Sequence, residues 1–135
     1  PDESILKDKN VLLAEDNDIN AAVAMEILKA HGMNVERAKD GQEVVDMYLK
    51  SAEGRYDAIL MDVRMPKIDG MQATKIIRNS SHDRAKSIPI IAMTADAFDE
   101  DMKRTMQAGM NAHLTKPIDI KKLIKTLVSL IHKEN

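Results

Sequence analysis

The sequence predicts an α/β domain: one five-stranded parallel sheet with helices on both faces. Three observations predict it. Apolar runs alternate with helically spaced segments five times along the chain, the pattern of successive βα units. The strongest runs are almost continuously apolar, as strands buried on both faces must be. Several of them stop abruptly at a charged or hydroxyl residue, where open α/β sheets gather their ligands.

The first run, Val11-Leu12-Leu13-Ala14, ends in Glu15-Asp16. The residues before it, 1–9, are charged and aperiodic and are expected to be a leader or the end of a linker. A helix follows from about Ile19 to His31, with Ile19, Val23, Ile27 and Ala30 on one face, and Gly32 is its stop signal. Met33 to Ala38 is a weaker strand. Asp40 and Glu43 have the spacing of a capping box and open a helix to about Ser51. Tyr56 to Met61 leads into Asp62, and Met65-Pro66 and Gly70 shape the loop behind it. Met71 to Arg78 is a short helix, and Asn79 to Ser87 is a polar loop expected to be mobile. Ile88 to Met93 ends in Thr94. A helix from about Asp99 stops at Gly109, and Ala112-His113-Leu114-Thr115 runs into Lys116-Pro117. The last helix starts near Asp119, with Leu123, Ile124, Leu127, Val128 and Ile131 at helical spacing. The domain is expected over 10–132, with 133–135 as a tail.

At 135 residues the chain is one domain by size. It is long enough to bury about two thirds of its surface without a disulfide or structural metal. It has no Cys, which removes thiol chemistry and Cys-based zinc sites. A net charge of -2 with two Tyr, one Phe and no Trp gives neither an electrostatic footprint nor stacking platforms for nucleic acid. No apolar run is long enough to span a bilayer. These features fit a cytoplasmic domain without direct membrane contact, whose parent protein could be membrane-anchored.

If the strands are parallel neighbours, Glu15, Asp16, Asp62, Thr94 and Lys116 converge on one edge. Each has a plain reading by itself. Asp62 is a turn-former, Glu15-Asp16 a helix cap, Thr94 a side-chain turn and Lys116 one more solvated lysine. Together they resemble the receiver domains of two-component response regulators, from about Val11 to Ile131. The motifs that carry the resemblance are Glu15-Asp16, Asp62 with Met65-Pro66 and Gly70, Thr94-Ala95, and Lys116-Pro117. The segments Leu13 to Asn17 and Ile91 to Ala95 are most similar to receivers fused to hybrid sensor histidine kinases.

The resemblance implies a doubly wound, flavodoxin-like strand order of 2-1-3-4-5 and a cis peptide at Lys116-Pro117. It implies that Asp62 accepts a phosphoryl group from a histidine kinase or histidine phosphotransfer domain, with Mg²⁺ or Mn²⁺ held by Glu15, Asp16, Asp62 and the backbone carbonyl of Arg64. Carboxylates suit such a hard cation, and Lys116 and Thr94 would receive the phosphoryl oxygens. Such a domain performs only self-phosphotransfer and slow autodephosphorylation, so whether it counts as an enzyme is a matter of definition. The parent protein could be a hybrid histidine kinase, and weak homodimerisation is compatible with the resemblance.

Two positions depart from the family pattern. His113 stands where the family has Tyr or Phe as a rotating switch. A neutral imidazole could turn inward toward Thr94, or His113 is a passive strand residue. Arg64 and Asp96, each two residues beyond a site residue, would overhang the pocket mouth. They form either an ion pair that restricts water or an exposed pair of negligible energy.

Three other functions compete. A phosphatase of the haloacid dehalogenase type needs a second Asp two residues after the nucleophile, where this chain has Arg64. A flavodoxin-like cofactor carrier needs a first loop that cradles phosphate, whereas Glu15-Asp16-Asn17-Asp18 would repel it. The remaining alternative is a receiver-like interaction module that is not phosphorylated.

Overall fold

Alternate side chains of each buried run face opposite ways, so every strand needs cover on both sides. The computed structural model describes residues 2–95 and 99–134, with the backbone alone at 99–101 and 133–134. It contains strands β1 (Asn10–Ala14), β2 (Asn34–Ala38), β3 (Ala58–Asp62), β4 (Ile90–Thr94) and β5 (Ala112–Thr115). Between and after them lie α1 (Asp18–Ala30), α2 (Gly41–Lys50), α3 (Gly70–Arg78), α4 (Asp99–Ala108) and α5 (Ile120–Glu134). The strands form one parallel sheet in the order β2-β1-β3-β4-β5.

The two faces carry separate cores. Leu12, Ala14, Ile59 and Met61 pack with Val44, Tyr48 and Ile77 of α2 and α3. Val11, Leu13, Leu60 and Ile91 pack with Leu28, Leu123 and Leu127 of α1 and α5. The central strands β3 and β4 are buried at every position, which is why their sequence shows no alternation.

The helix ends follow local chemistry. The Asn17 side chain accepts from Asn20 N–H and starts α1. Asp40 accepts from Glu43 N–H at 2.8 Å, while the Glu43 carboxylate takes Lys39 N–H at 3.2 Å, one residue before the cap. The reciprocal box expected at α2 is therefore shifted by one donor. A complete capping box occurs instead at α3, between Asp69 and Gln72.

The structure departs from the sequence reading in three places. The buried face of α1 is Ala21, Ala24 and Leu28, while Ile19 and Val23 are 76% and 55% exposed. Small side chains let the helix lie close to the sheet, and the bulkier pair is turned outward. The polar segment after α3 is tied down: Arg78 donates to Ala85 O, Lys86 to Arg78 O, and His82 lies 3.0 Å from Ser51 O. The leader also folds, as a 3-10 turn at Glu3–Leu6 with Leu6 completely buried in the α1–α5 core. Leu6→Ala should therefore destabilise the domain by about 2–5 kcal/mol. Urea denaturation reads this as a lower midpoint at constant slope, and an unchanged midpoint would show that the turn contributes no core packing.

Candidate functional site

Parallel strands place all their C-terminal ends on one edge, and the site is built from four of them. Glu15 follows β1, Asp62 and Thr94 end β3 and β4, and Lys116 follows β5. Glu15, Asp62 and Thr94 are all buried, while Asp16 is exposed. The Lys116 ammonium lies between two carboxylates, 2.8 Å from Glu15 Oε1 and 3.0 Å from Asp62 Oδ2. Asp62 Oδ1 accepts from Arg64 N–H at 3.2 Å, and Glu15 Oε2 accepts from Asn17 N–H at 3.2 Å. Lys116-Pro117 is a cis peptide.

These contacts set the protonation. Burial, and then the Glu15 carboxyl, push Asp62 up to about 7 against the pull of Lys116. Burial also acts to raise Glu15, but Lys116, Asp62 and the Asn17 amide outweigh it and hold its pKa below the ordinary value. Burial disfavours the Lys116 charge, yet Glu15 and Asp62 together raise its pKa. Below about pH 7 the two carboxyls thus hold one proton between them, predominantly on Asp62.

One carboxylate oxygen from each of Glu15, Asp16 and Asp62 lies within 4.8 Å of the others. Three hard oxygen donors at that separation, one of them exposed, suit a small divalent cation that retains water ligands. Beside them is a cleft of 420 Å³ lined by Asp16, Arg64, Asp69, Thr94 and Arg104 among others. Arg104 reaches it from α4, which no spacing in the sequence indicated. Asp96, expected to pair with Arg64 at the mouth, lies outside the described residues.

His113 is half-buried on β5. Its Nδ1 lies 3.3 Å from Thr105 Oγ1, whose own hydrogen goes to Met102 O at 2.9 Å. Nε2 is buried without a hydrogen-bond partner among the described residues. The ring is held toward α4.

Arg37 also acts on this edge, although the sequence reading did not single it out. From β2 it donates Nε and Nη2 to Glu15 O at 3.0 and 2.9 Å, and Nη1 to Asp18 Oδ1 at 2.8 Å. Only knowledge that β2 lies beside β1 brings it to this loop.

The response regulator receiver domain model matches residues 11–128. The chain belongs to that family. Among relatives of this receiver domain is SLN1, the osmosensing histidine protein kinase of Saccharomyces cerevisiae. It is 43% identical over 122 residues, 88% of this chain but 10% of SLN1. The receiver domain of a Pseudomonas aeruginosa sensor histidine kinase, crystallised with a magnesium ion in its active-site cleft, superposes with a TM-score of 0.83. It is 38% identical, covering 93% of this chain and 98% of that one. The Saccharomyces cerevisiae Ssk1 receiver, crystallised with the histidine phosphotransfer protein Ypd1, superposes with a TM-score of 0.84. It is 29% identical, covering 96% of this chain and 92% of that one. The chain spans only 5% of a Dictyostelium discoideum hybrid kinase it matches, but 96% of a Brucella response regulator. Among the described residues no helix is long and apolar enough to cross a membrane.

Proposed function

We propose that this receiver domain accepts a phosphoryl group on Asp62 from a phosphohistidine protein. The observation that carries the reading is the bridge of Lys116 between Glu15 and Asp62, with the Asp16 carboxylate in the same cluster. One Asp62 oxygen attacks phosphorus, the P–N bond breaks, and the imidazole nitrogen keeps the electron pair and takes up a proton. Asp62 must be ionised to attack, so any proton its raised pKa retains has to leave first. Lys116 supplies positive charge where the phosphoryl oxygens arrive, and the Thr94 hydroxyl supplies a donor. Glu15, Asp16, Asp62 and the Arg64 carbonyl would hold Mg²⁺ or Mn²⁺, which offsets the charge of the crowded carboxylates and of the phosphoryl group.

The partner reading rests on α1. Exposed Val23 lines a groove with Lys116, Pro117 and Ile118, and Ile19 is exposed on the same helix. A histidine kinase or phosphotransfer domain docked there would bring its phosphohistidine to the Asp62 edge. Thr94 and His113 form the proposed switch, in which the bond between His113 and Thr105 links β5 to α4. The receiver unit is proposed over 10–132 and assigned to the cytoplasm, with no nucleic-acid contact of its own.

Intact-mass measurement after treatment with acetyl phosphate and Mg²⁺ tests the function. Wild type should gain one phosphoryl group. Asp62→Asn should gain none, and removing Mg²⁺ with EDTA should suppress the adduct in wild type. An equal yield in Asp62→Asn would remove Asp62 as acceptor. No adduct in wild type from either this donor or a phosphorylated phosphotransfer domain would favour the interaction-module reading.

A further inference from the structure

We infer that Arg37 is the positioning residue for the cation site, acting through the loop that presents Glu15 and Asp16. The inference rests on the reading of Glu15, Asp16 and Asp62 as that site.

The loop from Glu15 to Asp18 carries three acids in four residues. Like charges so close together repel, and any of them could in principle turn toward Asp62. The cluster contains Glu15 and Asp16 but not Asp18. The geometry gives a reason. The Arg37 guanidinium spans the loop from β2, with two N–H groups on the Glu15 carbonyl and a third on the Asp18 carboxylate. It holds Asp18 at the start of α1, away from Asp62, and fixes the peptide that joins Glu15 to Asp16. The Arg37 side chain is only 16% exposed, and its planar fork is suited to serving two acceptors at once.

The remaining restraints on the loop leave this role to Arg37. Glu15 N–H is bound to Ala38 O at 3.1 Å, which continues the β1–β2 ladder. The Glu15 side chain is held by Lys116 and Asn17 N–H. These contacts fix Glu15 itself. The step from Glu15 to Asp16 is set by the orientation of the Glu15 carbonyl, and that carbonyl is the one Arg37 holds. Residues behind the ligands of a metal set its affinity by orienting them, and their loss typically weakens binding about 10- to 100-fold.

The test is Mg²⁺ titration of metal-free protein, followed by ¹H–¹⁵N spectra, for wild type, Arg37→Ala, Arg37→Lys and Asp18→Asn. Wild type should show saturable shifts at residues 15, 16 and 62. Arg37→Ala should raise the Mg²⁺ dissociation constant by about tenfold or more, with the far-UV spectrum of the folded domain retained. Arg37→Lys should fall between the two, because one ammonium cannot serve both acceptors in plane. Asp18→Asn keeps the bonds to the Glu15 carbonyl and removes only an exposed ion pair, so its change should stay below about threefold. In a parallel assay, the Mg²⁺ dependence of acetyl phosphate labelling should move to higher Mg²⁺ in Arg37→Ala. A role confined to edge-strand stability would lower the melting temperature without moving that curve.

If wild type shows no saturable shifts, the cation site fails and this inference falls with it. If wild type binds and Arg37→Ala binds equally well, only this inference is overturned. Should Arg37→Ala not fold, an Arg37→Lys dissociation constant equal to that of wild type overturns it.

Discussion

Asp62→Asn should make the metal-free domain more stable than wild type at pH 8, and progressively less so toward pH 5. The reason is the proton on Asp62. Its pKa is raised to about 7 in the fold, chiefly by burial and then by the Glu15 carboxyl. A raised pKa means that the folded state binds the proton more tightly than the unfolded chain does. The contribution to stability is complete below the unfolded value of 3.8. It is lost as pH rises through that window to about 7 and stays lost above it. At about 1.4 kcal/mol per unit, and with the pull of Lys116 already contained in that pKa, the ionised carboxylate destabilises the empty site by a few kcal/mol at most. Asparagine has the same shape and no charge. For a chain of this size, each kcal/mol moves the melting temperature by roughly 2–8 °C. Thermal melts of both proteins in EDTA at pH 5, 6, 7 and 8 measure the difference. Adding Mg²⁺ at pH 8 should then stabilise wild type and leave Asp62→Asn nearly unchanged, because a ligand stabilises only the state that binds it. Parallel melting curves at all four pH values would show that Asp62 carries no such strain.

That strain connects to function. A site that holds a buried carboxyl against Glu15 is poised for a cation to relieve the conflict. Under the proposed function, the same feature keeps Asp62 protonated more readily while the site is empty and favours its ionised, attacking form once a cation offsets the Glu15 charge.

The parts of this architecture legible in the sequence are those encoded locally. β1, β3 and β4 show in the sequence as apolar runs, while β2 and β5 are interrupted by polar residues. Asp62, Thr94 and Lys116 stood at the ends of such runs, so parallel pairing was enough to gather them. What failed needed information from elsewhere in the chain. The sequence reading puts Ile19, Val23, Ile27 and Ala30 on one face of α1, whereas the side buried against the sheet is Ala21, Ala24 and Leu28. Leu6 stands beside Ile5 in an otherwise charged leader, with no period to mark it as core. Arg37 meets Glu15 only because β2 pairs with β1 in register. Gly70 looked like a loop-former, yet a Cβ there would lie 2.2 Å from the Asp62 carbonyl oxygen. Its small size allows α3 to begin directly against the end of β3.

Gly41→Ala should be among the most damaging single-methyl additions in the chain. Gly41 opens α2 immediately after the Asp40 cap, and by propensity alone alanine would favour the helix there by up to about 1 kcal/mol. Packing opposes it. A Cβ at Gly41 would lie 1.8 Å from the Ile68 carbonyl oxygen and 2.6 Å from the Ile68 carbonyl carbon. Both atoms are backbone, so no side-chain rotation relieves the overlap. Either α2 moves away from the sheet or the loop from Val63 to Asp69 moves, and Gly70 N–H holds that loop through Val63 O at 2.9 Å. Overpacking of this kind costs about 1–3 kcal/mol and more where backbone must shift, so the net loss should exceed about 2 kcal/mol. Because the same loop carries Arg64, whose N–H binds Asp62 Oδ1, Mg²⁺ binding should weaken as well. Gly54→Ala separates steric overlap from backbone conformation. Gly54 has φ +73, and beyond its chain neighbours no atom of the described residues lies within 4 Å of a Cβ, so its penalty comes from left-handed backbone alone, about 1–2 kcal/mol. Mg²⁺ affinity should not change there. Urea titrations and Mg²⁺ titrations of both variants decide the matter. A Gly41→Ala protein that matches wild type in both would show that α2 and the Ile68 loop are not in rigid contact.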